Sequence, residues 1–85
     1  MNETRPRRSA AVRIDREQLR LRRQLAGLNQ AELAEKARVS FSYVGHIESG
    51  RRPTVSPRVF VRLCDALDVQ DRSELLEKAT AESQQ

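Results

Sequence analysis

The residues best placed for contact chemistry in this 85-residue chain lie between Asn29 and Arg52. Taken as a helix at about 100° per residue, with Val44 and Ile47 turned inward, Phe41–Ser49 directs Ser42 and His46 almost straight outward. Ser49 lies close behind them, Tyr43 and Gly45 sit on the flanks, and Phe41 stands at the N-terminal end. An exposed helix face is ordinarily charged, whereas this one offers hydroxyls, an imidazole and aromatic rings. Serine donates or accepts at several base edges, and a Phe or Tyr ring fits against a thymine methyl. The imidazole of His46 suits guanine or a phosphate, and its protonation near neutral pH would make such a contact pH-sensitive. Asn29, Gln30 and Ser40 fall at helix starts, where free N–H groups favour an anion. For Asn29 and Ser40 capping is the first role and phosphate contact the second. Nothing here resembles an enzyme: no paired carboxylates, metal cluster, nucleotide-binding loop or Cys–His constellation appears. The expectation is a non-catalytic chain with no metal and no cofactor.

These residues need elements to hold them, and the sequence predicts five helices and no strands. Residues 1–12 read as a flexible basic arm, 13–82 as one folded domain and 83–85 as a disordered tail. Asp15 caps a first helix that carries Leu19, Leu21 and Leu25 and stops at Gly27. Asn29 caps Gln30–Ala37, and Ser40 caps Phe41–Ser49, which Gly50 ends. Ser56 before Pro57 is a strong start for a fourth helix bearing Val59, Phe60, Leu63, Cys64 and Leu67. Asp71 with Glu74 resembles a capping box for a fifth helix through about Glu82. Two short helices three or four residues apart, at Gln30–Gly50, have the spacing of a helix-turn-helix, whose second helix enters the DNA major groove.

Composition sets the outer limits. Hydrophobic residues make up 38% and charged residues 33%, so the core must be small. The formal net charge is +4, but residues 71–85 carry −2, which gives a basic head and middle with an acidic tail. That asymmetry points to a polyanion on one side of the molecule. The single cysteine, Cys64, excludes an intrachain disulfide and falls on the buried face of the fourth helix. No apolar run reaches membrane-spanning length and no secretory signal is visible, so a cytoplasmic protein with no membrane partner is expected.

The run Leu19-Arg20-x-x-Arg23-x-x-x-Gly27-Leu28-Asn29-Gln30-Ala31-Glu32-Leu33-Ala34 resembles the lambda-repressor-like (XRE/Cro) helix-turn-helix family. The resemblance continues through Val39-Ser40 and Val44-x-x-Ile47-Glu48-Ser49-Gly50-Arg51-Arg52-Pro53. It covers about residues 14–80 and is close to the DNA-binding domains of lambdoid phage repressors. It implies an all-α, compact five-helix domain and a double-stranded DNA operator, near-palindromic and bound by a homodimer, or by a monomer that pairs only on DNA. Phe41, Ser42, Tyr43 and His46 would read bases. Asn29, Gln30, Ser40, Ser49, Arg51 and Arg52 would contact phosphates. Independently of the resemblance, Arg5, Arg7 and Arg8 suit either an adjacent minor groove or a disordered arm that only raises nonspecific affinity. Arg23 and Glu48 would make an internal salt bridge. One departure concerns Arg38, where the family commonly has glycine in a left-handed turn; a side chain there costs about 1 kcal/mol. An alternative reading is an antitoxin-type interaction module, docking through Leu75, Leu76 and Ala79 of the acidic last helix and binding DNA secondarily.

Overall fold

The computed structural model describes residues 11–78. Its elements in chain order are β1 (Val12–Arg13), α1 (Arg16–Leu25), α2 (Gln30–Ala37), α3 (Phe41–Ser49), β2 (Thr54–Val55), α4 (Pro57–Ala66) and a one-turn 3₁₀ helix at Arg72–Leu75. Each α-helix begins on a side chain that replaces a missing intrahelical acceptor. Asp15 accepts from the amides of Glu17 and Gln18, Ser40 from Tyr43 and Ser56 from Val59. Asn29 and Glu32 form a reciprocal capping box at the start of α2.

Three of the helices end in the same turn. In each, a residue with positive φ lets its own amide and the next one reach back to carbonyls of the last turn. Gly27 and Leu28 bond Gln24 and Arg23, Arg38 and Val39 bond Glu35 and Ala34, and Asp68 and Val69 bond Asp65 and Cys64. The left-handed residues are Gly27 at φ 77°, Arg38 at 62° and Asp68 at 56°. The second of these turns is the link inside the helix-turn-helix.

Leu19, Leu33, Ala37, Val44, Ile47, Leu63, Cys64 and Leu75 are fully enclosed, so every helix, and the 3₁₀ turn with them, contributes to one core. Cys64 is among them. Burial pushes its thiol above the ordinary cysteine range, with the Arg72 charge pulling the other way less strongly. It is a packing group. Among the described residues, no helix is long and apolar enough to cross a membrane.

The fold departs from the sequence expectation at its two ends. Four α-helices and a 3₁₀ turn replace the expected five. Instead of continuing helically toward Glu82, the backbone turns extended at Leu76, which bridges Ile14 antiparallel. The Glu77 amide then donates to the Arg13 carbonyl at 3.1 Å. This departure has a physical cause: β1 pairs with β2 along one edge, Val12 with Val55 and Arg13 with Thr54, and its other edge still needs partners. The Leu75 carbonyl, accepting from the Asp15 amide at 2.8 Å, and the Glu77 amide supply them. Val12 is thus the first residue of β1. The partner-docking helix expected around Leu75, Leu76 and Ala79 is absent across the described part of that stretch, since Leu75 is in the core and Leu76 is on a strand edge. Arg5, Arg7, Arg8, Ala79 and Glu82 lie outside the described residues, as does the expected tail.

Candidate nucleic-acid interface

The small side chains of α2 decide where α3 sits. Ala34 and Ala37 are buried beside Leu33 and leave room for Val44 and Ile47 of α3 to pack closely. With those two facing inward, Ser42 and His46 are exposed on the opposite side. Phe41, at the N-terminal end, is 60% exposed, the second most exposed large apolar side chain among the described residues. Tyr43 turns partly inward against the core, and the Arg52 guanidinium lies over its ring, 4.9 Å from the centroid. Ser40, Ser42, Tyr43, His46 and Arg52 together line an open groove of about 390 Å³. Its walls are hydroxyls, one imidazole, one aromatic ring and one cation, and none is a carboxylate.

The residues expected to hold phosphates surround this face, several with a second task. Asn29 accepts from the Glu32 amide at 2.7 Å through Oδ1, and its own amide donates to Glu32 at 2.8 Å. Ser40 Oγ accepts from the Tyr43 amide at 3.1 Å and lies 3.4 Å from Ser42 Oγ. Ser49 Oγ donates to the His46 carbonyl and accepts from the Arg51 amide. Gln30 Nε2 donates to Glu48 Oε1 at 3.0 Å, so one of its two amide hydrogens is committed inside the fold. Gly45 stands beside the oxygen of that amide: a methyl group at residue 45 would lie 3.7 Å from Gln30 Oε1. Arg51 and Arg52 are both exposed.

Beneath this surface is a buried charge. Glu48 is 2% exposed, and Arg23 forks onto its carboxylate with Nε to Oε2 at 2.7 Å and Nη2 to Oε1 at 3.1 Å. Arg23 also donates to the Leu28 carbonyl at 2.8 Å, tying α1 to the segment before α2. Three donors on one carboxylate offset a desolvation cost that an unpaired charge would leave standing. Arg16 and Arg20 reach the same end of α3, a role the sequence reading did not assign. The signal for it was present, because Arg16, Arg20 and Arg23 recur at helical spacing along one stripe of α1.

A helix-turn-helix domain family matches residues 16–77, most of the chain. No curated protein matches significantly. Among solved structures, the restriction-modification controller protein C.AhdI from Aeromonas hydrophila is 38% identical at a TM-score of 0.66, covering 72% of this chain and 89% of its own. SinR, the master regulator for biofilm formation, solved in complex with DNA, is 31% identical at a TM-score of 0.69, covering 73% of this chain and 100% of its own. The N-terminal DNA-binding domain of SinR from Bacillus subtilis, also 31% identical, gives 0.66 over 76% and 94%. The chain belongs to the XRE, or lambda-repressor-like, helix-turn-helix family.

Proposed function

We propose that this protein is a sequence-specific double-stranded-DNA-binding transcriptional regulator, a repressor of phage or mobile-element type acting in the bacterial cytosol. The observation that carries the reading is the exposed face of α3, where Ser42 and His46 stand without a carboxylate beside them and are bordered by the exposed Arg51 and Arg52. Such a face is poorly suited to plain solvation and well suited to base edges flanked by phosphates. Its relatives are consistent with this, one being a controller protein and another a master regulator solved on DNA.

In this reading α3 enters the major groove and Phe41, Ser42, Tyr43 and His46 read bases. Gln30 presents its remaining amide hydrogen and the N-terminal end of α2 to a phosphate. Asn29, Ser40, Ser49, Arg51 and Arg52 hold the backbone on either side, and Arg5, Arg7 and Arg8 add an arm. Two copies place their α3 helices one DNA turn apart, about 34 Å, on a near-palindromic operator. Repression follows from occupying a promoter that the operator overlaps.

Selection from a pool of random duplexes, followed by affinity on the recovered site at several salt concentrations, tests the reading. A palindrome with half-sites about one turn apart is the expected result. Binding that is steep in salt and blind to sequence would overturn it.

A further inference from the structure

An α-helix leaves its last four carbonyls without partners of its own, and in α3 these belong to His46, Ile47, Glu48 and Ser49. All four are taken. The Ile47 carbonyl accepts from the Gly50 amide at 3.1 Å, and that of His46 from the Arg52 amide at 3.0 Å and from Ser49 Oγ at 3.2 Å. The other two are satisfied from a different helix. Arg20 Nη2 donates to the Glu48 carbonyl at 3.2 Å, and Arg16 Nη1 to the Ser49 carbonyl at 2.6 Å. Arg20 Nε also lies 3.8 Å from the Glu48 carboxylate. Gly50 makes way for this arrangement, since its φ is 87° and a Cβ there would collide with the Arg16 guanidinium.

Cations at a helix C-terminus complement its dipole, but their placement here does more than that. Arg16, Arg20 and Arg23 grip the last turn of α3 with charge, while the first turn, which turns Phe41 and Ser42 outward, is held by the apolar packing of Tyr43 and Val44. Nine residues at about 1.5 Å each make a lever, so a tilt of about 5° at the gripped end displaces the first turn by about 1 Å. Reading a base edge tolerates only about 0.5 Å. We infer that Arg16 and Arg20 are positioning residues for base reading, acting through the α3 backbone and touching no base. The inference rests on the DNA-reading function proposed above.

The test compares Arg16→Ala, Arg20→Ala and the double variant with the unaltered chain. Four quantities are measured: melting temperature, amide exchange in the last turn of α3, affinity for the selected duplex against single-base-pair substitutions of it, and the salt slope. The double variant should melt within a few degrees of the unaltered chain, because both arginines are exposed, and should exchange faster at residues 46–50. Its preference for the selected duplex over substituted ones should fall about ten-fold with the salt slope unchanged. A loss equal on all duplexes, with the slope shallower by about one per arginine, would make these phosphate contacts and overturn the inference. Unchanged discrimination would overturn it too. If the unaltered chain selects no sequence, the DNA reading fails first, and that arm is scored before any variant.

Discussion

The two ends of α3 obey opposite rules. At the start, Ser40 provides one side-chain acceptor, and beyond it Phe41 and Ser42 face outward with no charged partner among the described residues. At the finish, every carbonyl is taken and Glu48 is buried under Arg23 and Gln30. The difference shows how a nine-residue helix can serve as a probe. Its own hydrogen bonds are too few to fix its direction, so one end is fastened with charge and the other by apolar packing, with its outer face left for a ligand. Removing the buried charge at the fastened end should therefore change stability, and variants on the exposed face should change recognition.

Glu48→Ala should give the largest effect. Removing one partner of a buried pair costs about 3–5 kcal/mol because the remaining charge stays buried and unpaired. For a domain this small that is most of its stability. Binding should vanish together with the cooperative melting transition. A Glu48→Ala protein that melts normally yet fails to bind would break the comparison, because it would make Glu48 part of the reading surface.

His46→Ala should do the reverse. Its side chain is exposed and makes no hydrogen bond or ion pair among the described residues, so melting should be unchanged. Affinity for the selected duplex should fall by a factor of about 5 to 150, equivalent to about 1–3 kcal/mol for a base contact. The loss should be confined to sequences carrying the base pair that His46 reads. Competition titrations with duplexes substituted one pair at a time measure this, and an equal loss on all of them would move His46 to the phosphate group.

Ser40→Ala sharpens the comparison because Ser40 borders the exposed face yet does structural work. Losing a serine cap costs about 1 kcal/mol. That corresponds to a fall of about 4–8 °C in melting temperature for a domain of this size. Any loss of affinity beyond that fall measures a contact of Ser40 with DNA.

Much of this arrangement was legible in the sequence because it rests on local rules. Asp15, Asn29, Ser40 and Ser56 announce their helices by capping chemistry, and Val44 and Ile47 fix the inward side of α3 by helical period. What was not legible depends on pairing across the chain. A strand of two residues, Val12–Arg13, is too short to show alternation, and nothing local says that it will meet Thr54–Val55 on one side and Glu77 on the other. The fifth helix failed for that reason. Asp71 does cap a turn, through Ser73, but the unpaired edge of β1 captured the residues that would have extended it. The grip of Arg16 and Arg20 on α3 was hidden likewise, since the acceptors are main-chain carbonyls and carry no sequence signature.

The smallest predicted effect lies in the turn that joins the two halves of the motif. Gly27, Arg38 and Asp68 occupy equivalent left-handed positions after α1, α2 and α4, so the same backbone is built once with glycine and twice without. A side chain in that conformation costs about 1–2 kcal/mol. Glycine would remove the cost but bring back about 0.5–1 kcal/mol of unfolded-chain entropy. Arg38→Gly should therefore stabilise the protein by about 0.5–1 kcal/mol. The gain should appear as a higher midpoint in urea with an unchanged slope. Asp68→Gly should gain less, because a short polar side chain tolerates the left-handed region better than arginine does. Arg38 makes no ion pair among the described residues, so no lost contact should mask the gain. If Arg38→Gly instead loses stability, then the exposed arginine contributes more to the folded state than its backbone strain removes, and the turn inside the helix-turn-helix is held by its side chain as well as by its hydrogen bonds.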